Sequence, residues 1–234
     1  MPKLLIFALI AICTVANAQA DCRGLTAQLK ASEARDATAA RLPHAVILYS
    51  VGAQHEYRVG PIKTIGHLEK LFVKAALPLT AVRPGYFLEN IQDVLPAVLH
   101  EGIYPSMILP LDRKIDMVAT VDIGLTVADA LINPPSVPHR VIELRGAAQF
   151  SAQDITATLS KALGREIAPI EVPGVAWVDQ LKQNGLSQQS AESIAEMHEN
   201  IYNGRIDFLD ATLRKGHIDL TRFVETLNLA ASES

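Results

Sequence analysis

Residues 45–90 of this 234-residue chain constrain its fold more than any other stretch. They read AVILYSVGAQHEYRVGPIKTIGHLEKLFVKAALPLTAVRPGYFLEN. An apolar run with β-branched residues (45–51) is followed by a stretch of helical period (61–76). A second apolar run (79–82) ends in Arg83-Pro84-Gly85-Tyr86-Phe87. The pattern predicts a strand, a helix and a strand. A crossover of this length joins parallel strands, and the connection is right-handed. Ligands in such sheets gather at the carboxyl ends of the strands. Those ends are Ser50-Val51-Gly52 and Arg83-Pro84-Gly85-Tyr86, so a site is expected there.

Composition narrows the function classes. Hydrophobic residues make up 49%, charged residues 20% and aromatics 5% of the chain, which excludes neither a packed core nor ordinary solubility. The net charge of −4, with no basic run, argues against nucleic acid as a partner, because phosphate neutralisation needs clustered Lys and Arg. At the N-terminus, Lys3, an apolar run over 4–16 and Ala18-Gln19-Ala20 form the parts of a secretory signal peptide over 1–20. The run is too short for a stable membrane span. A competing expectation is that residues 4–12 form a buried strand. The first reading places the protein in a secreted or periplasmic compartment, the second in the cytoplasm. Removal of the leader would leave Cys22 as the only thiol of the mature chain, with no internal disulfide.

Further along, 24–41 reads as an Ala-rich surface helix. Pro61 suits a helix first turn. In the helix that follows, Ile62, Ile65, Leu68 or Glu69, and Phe72 mark the face toward the sheet, with Lys63, His67 and Lys70 at its edge or outside. A short helical stretch over 88–95 is expected to stop at Pro96. Met117-Val118 reads as a short strand, 122–132 as a helix and 140–144 as a strand. Phe150-Ser151-Ala152-Gln153-Asp154-Ile155 holds a Ser N-cap, an acid three residues on and an apolar staple, which predicts a helix ending at Gly164. Helices over 173–184, from Ser187 to Gly204, and over 219–229 complete a helix-rich lobe from about residue 134. The sheet-bearing core spans about 24–133.

Several chemistries have no sequence support. No two glycines lie closer than Gly60 and Gly66, so no G-x-G-x-x-G phosphate loop occurs in the sequence. There is no G-x-S-x-G elbow or Walker A loop. The seven histidines form no H-x-x-x-H pair, and no zinc site is expected. Trp177, spaced with Leu181, reads as core.

Five segments in order, SVGAQH, GPIKTIGHLEKLF, RPGYFLEN, MVATVDIG and VIELRGAAQFSAQDI, together resemble the NmrA-like family, atypical members of the short-chain dehydrogenase/reductase superfamily. The resemblance runs from about Ala39 to the end and lacks the family's glycine-rich opening. It implies an α/β fold, the second half of a doubly wound Rossmann-like parallel sheet, with a substrate lobe. It also implies NAD(P) as cofactor. Ser50 matches the superfamily's substrate-polarising serine, while the Tyr-x-x-x-Lys dyad is absent, since Pro61 stands four residues after Tyr57. The ring-side residues implied by the resemblance are Ser50, Gly52, Lys63, Pro84, Gly85, Tyr86 and Phe87, with no catalytic residue assigned.

Two functional expectations follow. One is a non-catalytic or remnant binding protein without the dinucleotide phosphate loop. The other is an NAD(P)H-dependent oxidoreductase of quinone or azo type whose phosphate-binding half lies outside this sequence. The apolar strand at 45–51, deprived of a neighbour on one side, is further expected to promote self-association.

Overall fold

A computed structural model of the protein describes residues 42–55, 60–74, 77–209 and 213–229, with the backbone alone over 64–68. The leader or strand at the N-terminus, Cys13, Cys22 and the helix expected over 24–41 lie outside the described residues. So does the side chain of His67, and with it those of Ile65 and Leu68.

The chain alternates strands and helices. The first half holds β1 (Ala45–Leu48), α1 (Ile62–Lys74), β2 (Leu79–Pro84), β3 (Tyr86–Phe87), α2 (Leu95–Glu101), β4 (Ile103–Ser106), β5 (Ile115–Val118) and α3 (Thr120–Ile132). The second holds β6 (His139–Arg145), β7 (Gln149–Phe150), α4 (Ala152–Leu163), β8 (Ala168–Glu171), α5 (Trp177–Gln183), α6 (Gln188–Tyr202), β9 (Leu213–Lys215) and α7 (Leu220–Thr226). The main sheet has four strands in the order β1-β2-β6-β9, all parallel. The strand, helix, strand reading of 45–84 thus holds, with β1 and β2 parallel and Ala45 in register with Leu79.

Burial explains why β2 forms the centre. Every residue of LTAVRP is buried, as expected of a strand covered on both faces. Leu79 and Ala81 pack with Tyr49, Phe72 and Leu77 on the α1 side, whereas Val82 packs with Val46, Ala130 and Ile142 on the α3 side. The period-2 alternation of side chains thus assigns one helix to each face. A separate core under the smaller sheets gathers Leu88, Ile91, Val98, Ile155, Leu159 and Phe223. It joins the lobe helices α4 and α7 to the segment after β3.

Three local expectations change. Pro96 does not stop a helix: a 3₁₀ turn spans Leu88–Val94, and Pro96 sits in the first turn of α2. There its missing N–H would be unpaired in any case. The helix expected over 173–184 begins as a 3₁₀ turn, Gly174–Ala176, before α5. β9 was not anticipated, because Leu213-Arg214-Lys215 lacks an apolar run. It joins the sheet beside β6 by backbone pairing, all three residues being exposed, and Arg214 Nη1 donates to Asp129 Oδ2 of α3. Among the described residues β1 has β2 as its one strand neighbour.

The capping box of α4 is present in full. Ser151 Oγ accepts from the Asp154 backbone N–H, and Asp154 Oδ2 accepts from the Ser151 N–H at 2.9 Å. Ser151→Ala is expected to lower the unfolding free energy by about 1 kcal/mol, read from urea denaturation. Gly146→Ala should cost more, because a Cβ there would stand 1.8 Å from the Met117 carbonyl oxygen. Its urea midpoint is expected to fall below that of Ser151→Ala.

Candidate functional site at the strand ends

The carboxyl ends of β1 and β2 are held side by side by backbone bonds that run past the strands. Tyr49 N–H donates to the Val82 carbonyl, Val51 N–H to Pro84, and Gly85 N–H to Leu144 of β6. Gly52 has φ +83°, a left-handed turn that only glycine adopts without strain. Gly85 needs its missing side chain for another reason: a Cβ would lie 2.8 Å from the Asp116 carbonyl oxygen. Ser50 is half-buried, and its hydroxyl donates to the Val51 carbonyl at 3.1 Å. Pro84 is buried, whereas Tyr86 and Phe87 are half-buried at the start of the link to the lobe. Lys63 is exposed near the start of α1. Ser50, Gly52, Pro84, Gly85, Tyr86 and Phe87 are therefore brought to one end of the sheet.

A strap from the lobe crosses this end. After α6, residues 205–209 place Ile206 against Gly52, with 3.1 Å to the Cβ position, and Phe208 against Gly85 at 3.2 Å. Asp207 fixes the strap to the β1 side: its carbonyl accepts from Gln54 Nε2 at 3.0 Å, and its carboxylate lies 3.1 Å from His55 Nε2. Leu209 N–H donates to Glu143 Oε2 at 2.9 Å. The lobe thus folds back over the strand ends.

Beneath the strap lies a buried ionic cluster that sequence reasoning missed. Arg83 donates from Nη2 to both oxygens of Glu69, at 2.9 and 3.1 Å, and from Nη1 to Glu143 Oε1 at 3.3 Å. His139 Nε2 stands 2.9 Å from Glu69 Oε1 without hydrogen-bond geometry. Burial pushes the Glu143 carboxyl above its usual range, against the lowering effects of the Leu209 N–H and Arg83. The Tyr49 hydroxyl, buried and without a hydrogen-bond partner, is raised by burial and then by the charge of Glu69. A signal existed in the sequence: a Glu inside the apolar run VIEL, and a Glu on the apolar stripe of α1.

On the lobe side, Tyr86 meets His198 edge-on at 6.3 Å between ring centroids, and Trp177 meets His198 at 5.9 Å. Trp177 is buried, as its spacing suggested, and its Nε1 donates to the Val172 carbonyl at 2.7 Å. Burial pushes the Tyr86 phenol up to about 12, while its bond with Asn90 acts in the other direction. Burial also lowers His198 to about 4, so the imidazole is neutral at physiological pH. Nothing in the sequence marked His198. No group of three or more His, Cys, Asp or Glu is placed to hold a metal ion among the described residues. No helix among them is long and apolar enough to cross a membrane.

A sheet of parallel strands with helices on both faces and a lobe over the strand ends is a Rossmann-like α/β architecture. The NmrA-like family model matches residues 66–227, and the chain belongs to the NmrA-like family. An NAD(P)H azoreductase of Xenophilus azovorans is 23% identical over 176 residues, which is 75% of this chain. The chain spans 59% of the length of that relative. Among solved structures, the NADPH-dependent quinone oxidoreductase QOR2 of Escherichia coli, complexed with NADPH, superposes with a TM-score of 0.74 at 20% identity. That match covers 90% of this chain and 73% of the other. The triphenylmethane reductase of Citrobacter sp., complexed with NADP(H), gives 0.65 at 15% identity, covering 82% and 67%.

Two outcomes test these contacts. Arg83→Met leaves two buried carboxylates facing each other, and a loss of about 3–5 kcal/mol in unfolding free energy is expected by urea denaturation. The second concerns acid stability. Because the folded-state value of His198 is depressed, the unfolded chain binds the extra proton between about pH 6.5 and 4. The contribution of His198 is therefore complete above pH 6.5 and is lost as pH falls toward 4, amounting to about 3 kcal/mol. Denaturation curves across this range should show His198→Phe with a shallower acid slope than the parent.

Proposed function

We propose that this chain carries the ring-side surface and substrate lobe of an NAD(P)H-dependent oxidoreductase acting on quinone- or azo-type substrates. The observation that carries the reading is the convergence of Gly52, Gly85, Tyr86 and Phe87 on one end of a Rossmann-like sheet under a lobe. The named activities of the azoreductase and the quinone oxidoreductase support it. A nicotinamide bound there would supply the hydride. Gly85 and Gly52 would let the backbone approach its ring once Ile206 and Phe208 yield, and Tyr86 or Phe87 would flank it. Ser50 is the hydroxyl nearest the end of β1 for polarising a substrate, and Lys63 stands at the start of α1. The residues for the pyrophosphate do not fit, because no closely spaced glycines occur in the sequence.

That mismatch, together with the strap lying on both glycines, favours a second reading: a non-catalytic binding protein of the same fold. Among the described residues β1 is an edge of the sheet, with Ala45, Ile47 and Leu48 half-buried and uncharged, and such an edge would support self-association. Sedimentation equilibrium is then expected to show concentration-dependent association, weakened by Ile47→Lys. The leader over 1–20, if removed on secretion, would place either activity outside the cytoplasm.

Titration calorimetry with NADPH and with reduced nicotinamide mononucleotide separates the roles of ring and pyrophosphate. Both are expected to bind more weakly than about micromolar, and NADPH no more than a few-fold tighter than the mononucleotide. NADPH binding a hundredfold tighter would mean that the phosphates are held after all. Mononucleotide oxidation by 1,4-benzoquinone, followed at the nicotinamide absorbance, is expected under the oxidoreductase reading and absent under the second.

A further inference from the structure

The last residue of β6 carries a cation whose ion pair, among the described residues, is a single long one. Arg145 stands at the carboxyl end of the sheet, its side chain 37% exposed. Its Nε is buried and has no hydrogen-bond partner. The nearest carboxylate is Asp116 Oδ2, 4.0 Å from Nε, which already accepts from Gln149 Nε2 at 2.8 Å. The guanidinium carbon lies 5.0 Å from the centroid of the Phe208 ring. That stacking holds the plane of the fork and leaves its edge for a ligand. Lys215 of β9 is the register neighbour of Arg145, and in-register residues of parallel strands project on the same face. Lys215 is exposed, and among the described residues no carboxylate pairs with it. Arg145 thus lies beside the Phe208 ring, which itself packs on Gly85, with Lys215 as its register neighbour on β9.

We propose that Arg145, supported by Lys215 and by the Phe208 ring, binds the carboxylate of a planar aromatic acid at the β6–β9 end of the site. A guanidinium held against a ring, with no hydrogen bond at either Nη among the described residues, offers two parallel Nη donors to a carboxylate, a charge-assisted geometry stronger than a neutral bond. The flat body of such an acid lies along Phe208. The proposal names the substrate class of the ring-side site, and in that sense rests on the oxidoreductase reading. Its test does not depend on hydride transfer.

The probes are 2-naphthoate and 2-naphthamide, nearly the same in shape and different in charge. With the full chain at low ionic strength, 2-naphthoate is expected to bind about tenfold tighter than the amide. Added salt should narrow the ratio as screening grows. Arg145→Gln, at a partly exposed position, is expected to bring the ratio to about one. Lys215→Gln should reduce it partway, and both variants should keep the parent's thermal midpoint. Equal binding of the two probes by the parent, no binding of either, or an unchanged ratio in Arg145→Gln would overturn the proposal. So would displacement of 2-naphthoate by millimolar inorganic phosphate, which would mark a phosphate subsite instead. Reduced nicotinamide mononucleotide, titrated in parallel, keeps the two readings apart. If it binds while the naphthoate preference is missing, the acid site alone fails. If the preference holds while the mononucleotide does not bind, the oxidoreductase reading fails and the acid site stands.

Discussion

Arg83 is the residue on which the geometry of this site depends. It sits in the central strand, where both faces are covered and water is excluded, and there an unpaired guanidinium would cost several kcal/mol. Glu69 from α1 and Glu143 from β6 meet it from two directions. Their bonds hold the end of α1 and the ends of β2 and β6 in one register. Glu143 then uses its second oxygen on the Leu209 N–H, so the same cluster reaches the strap. Two carboxylates against one guanidinium leave an excess of negative charge. Burial relieves part of it by raising the Glu143 carboxyl toward protonation. A helix, two strands and a lobe segment are thus positioned by one side chain and its acceptors.

The glycines at the strand ends take their meaning from that arrangement. Gly52 and Gly85 are the two places where the strap could not lie as close if a side chain intervened. In open α/β sheets ligands bind outside the carboxyl ends of the strands, which is the end that the strap crosses here. Contacts that hold the strap, Asp207 with Gln54 and His55 on one side and Leu209 with Glu143 on the other, set how readily that end is exposed.

The backbone order was largely legible in the sequence, and the polar interior was not. Apolar period and length identified β1, α1 and β2, and cap chemistry identified α4 to the residue, because Ser151 and Asp154 act within one turn. Pro96 was misjudged because proline ends one helix and begins another with the same local preference. β9 escaped because three exposed residues join the sheet through backbone bonds that no side-chain pattern encodes. The placement of Gly52, Gly85 and Tyr86 at the strand ends was foreseen because strand ends are fixed by strand positions. Glu69, Glu143, His198 and the strap were not, since their partners lie from 14 residues away, for Glu69 with Arg83, to 153, for Asp207 with Gln54, and tertiary packing alone unites them.

The two sides of the site differ in electrostatic character, and this difference orients what enters it. On the lobe side the titratable rings are neutral through the physiological range: His198 is held near 4, the Tyr86 phenol near 12, and Tyr104 is raised by burial. Each owes its state to desolvation, so these rings bring no charge into the packed interior of the lobe. On the sheet side the Arg83 cluster sets two carboxylates against one guanidinium, whereas Arg145 at the end of β6 has Asp116 Oδ2 at 4.0 Å and the exposed Lys215 as its register neighbour. At the proposed acid site, a planar molecule with one anionic substituent would therefore place its charge toward Arg145 at the end of β6, and a neutral one would gain nothing from that orientation.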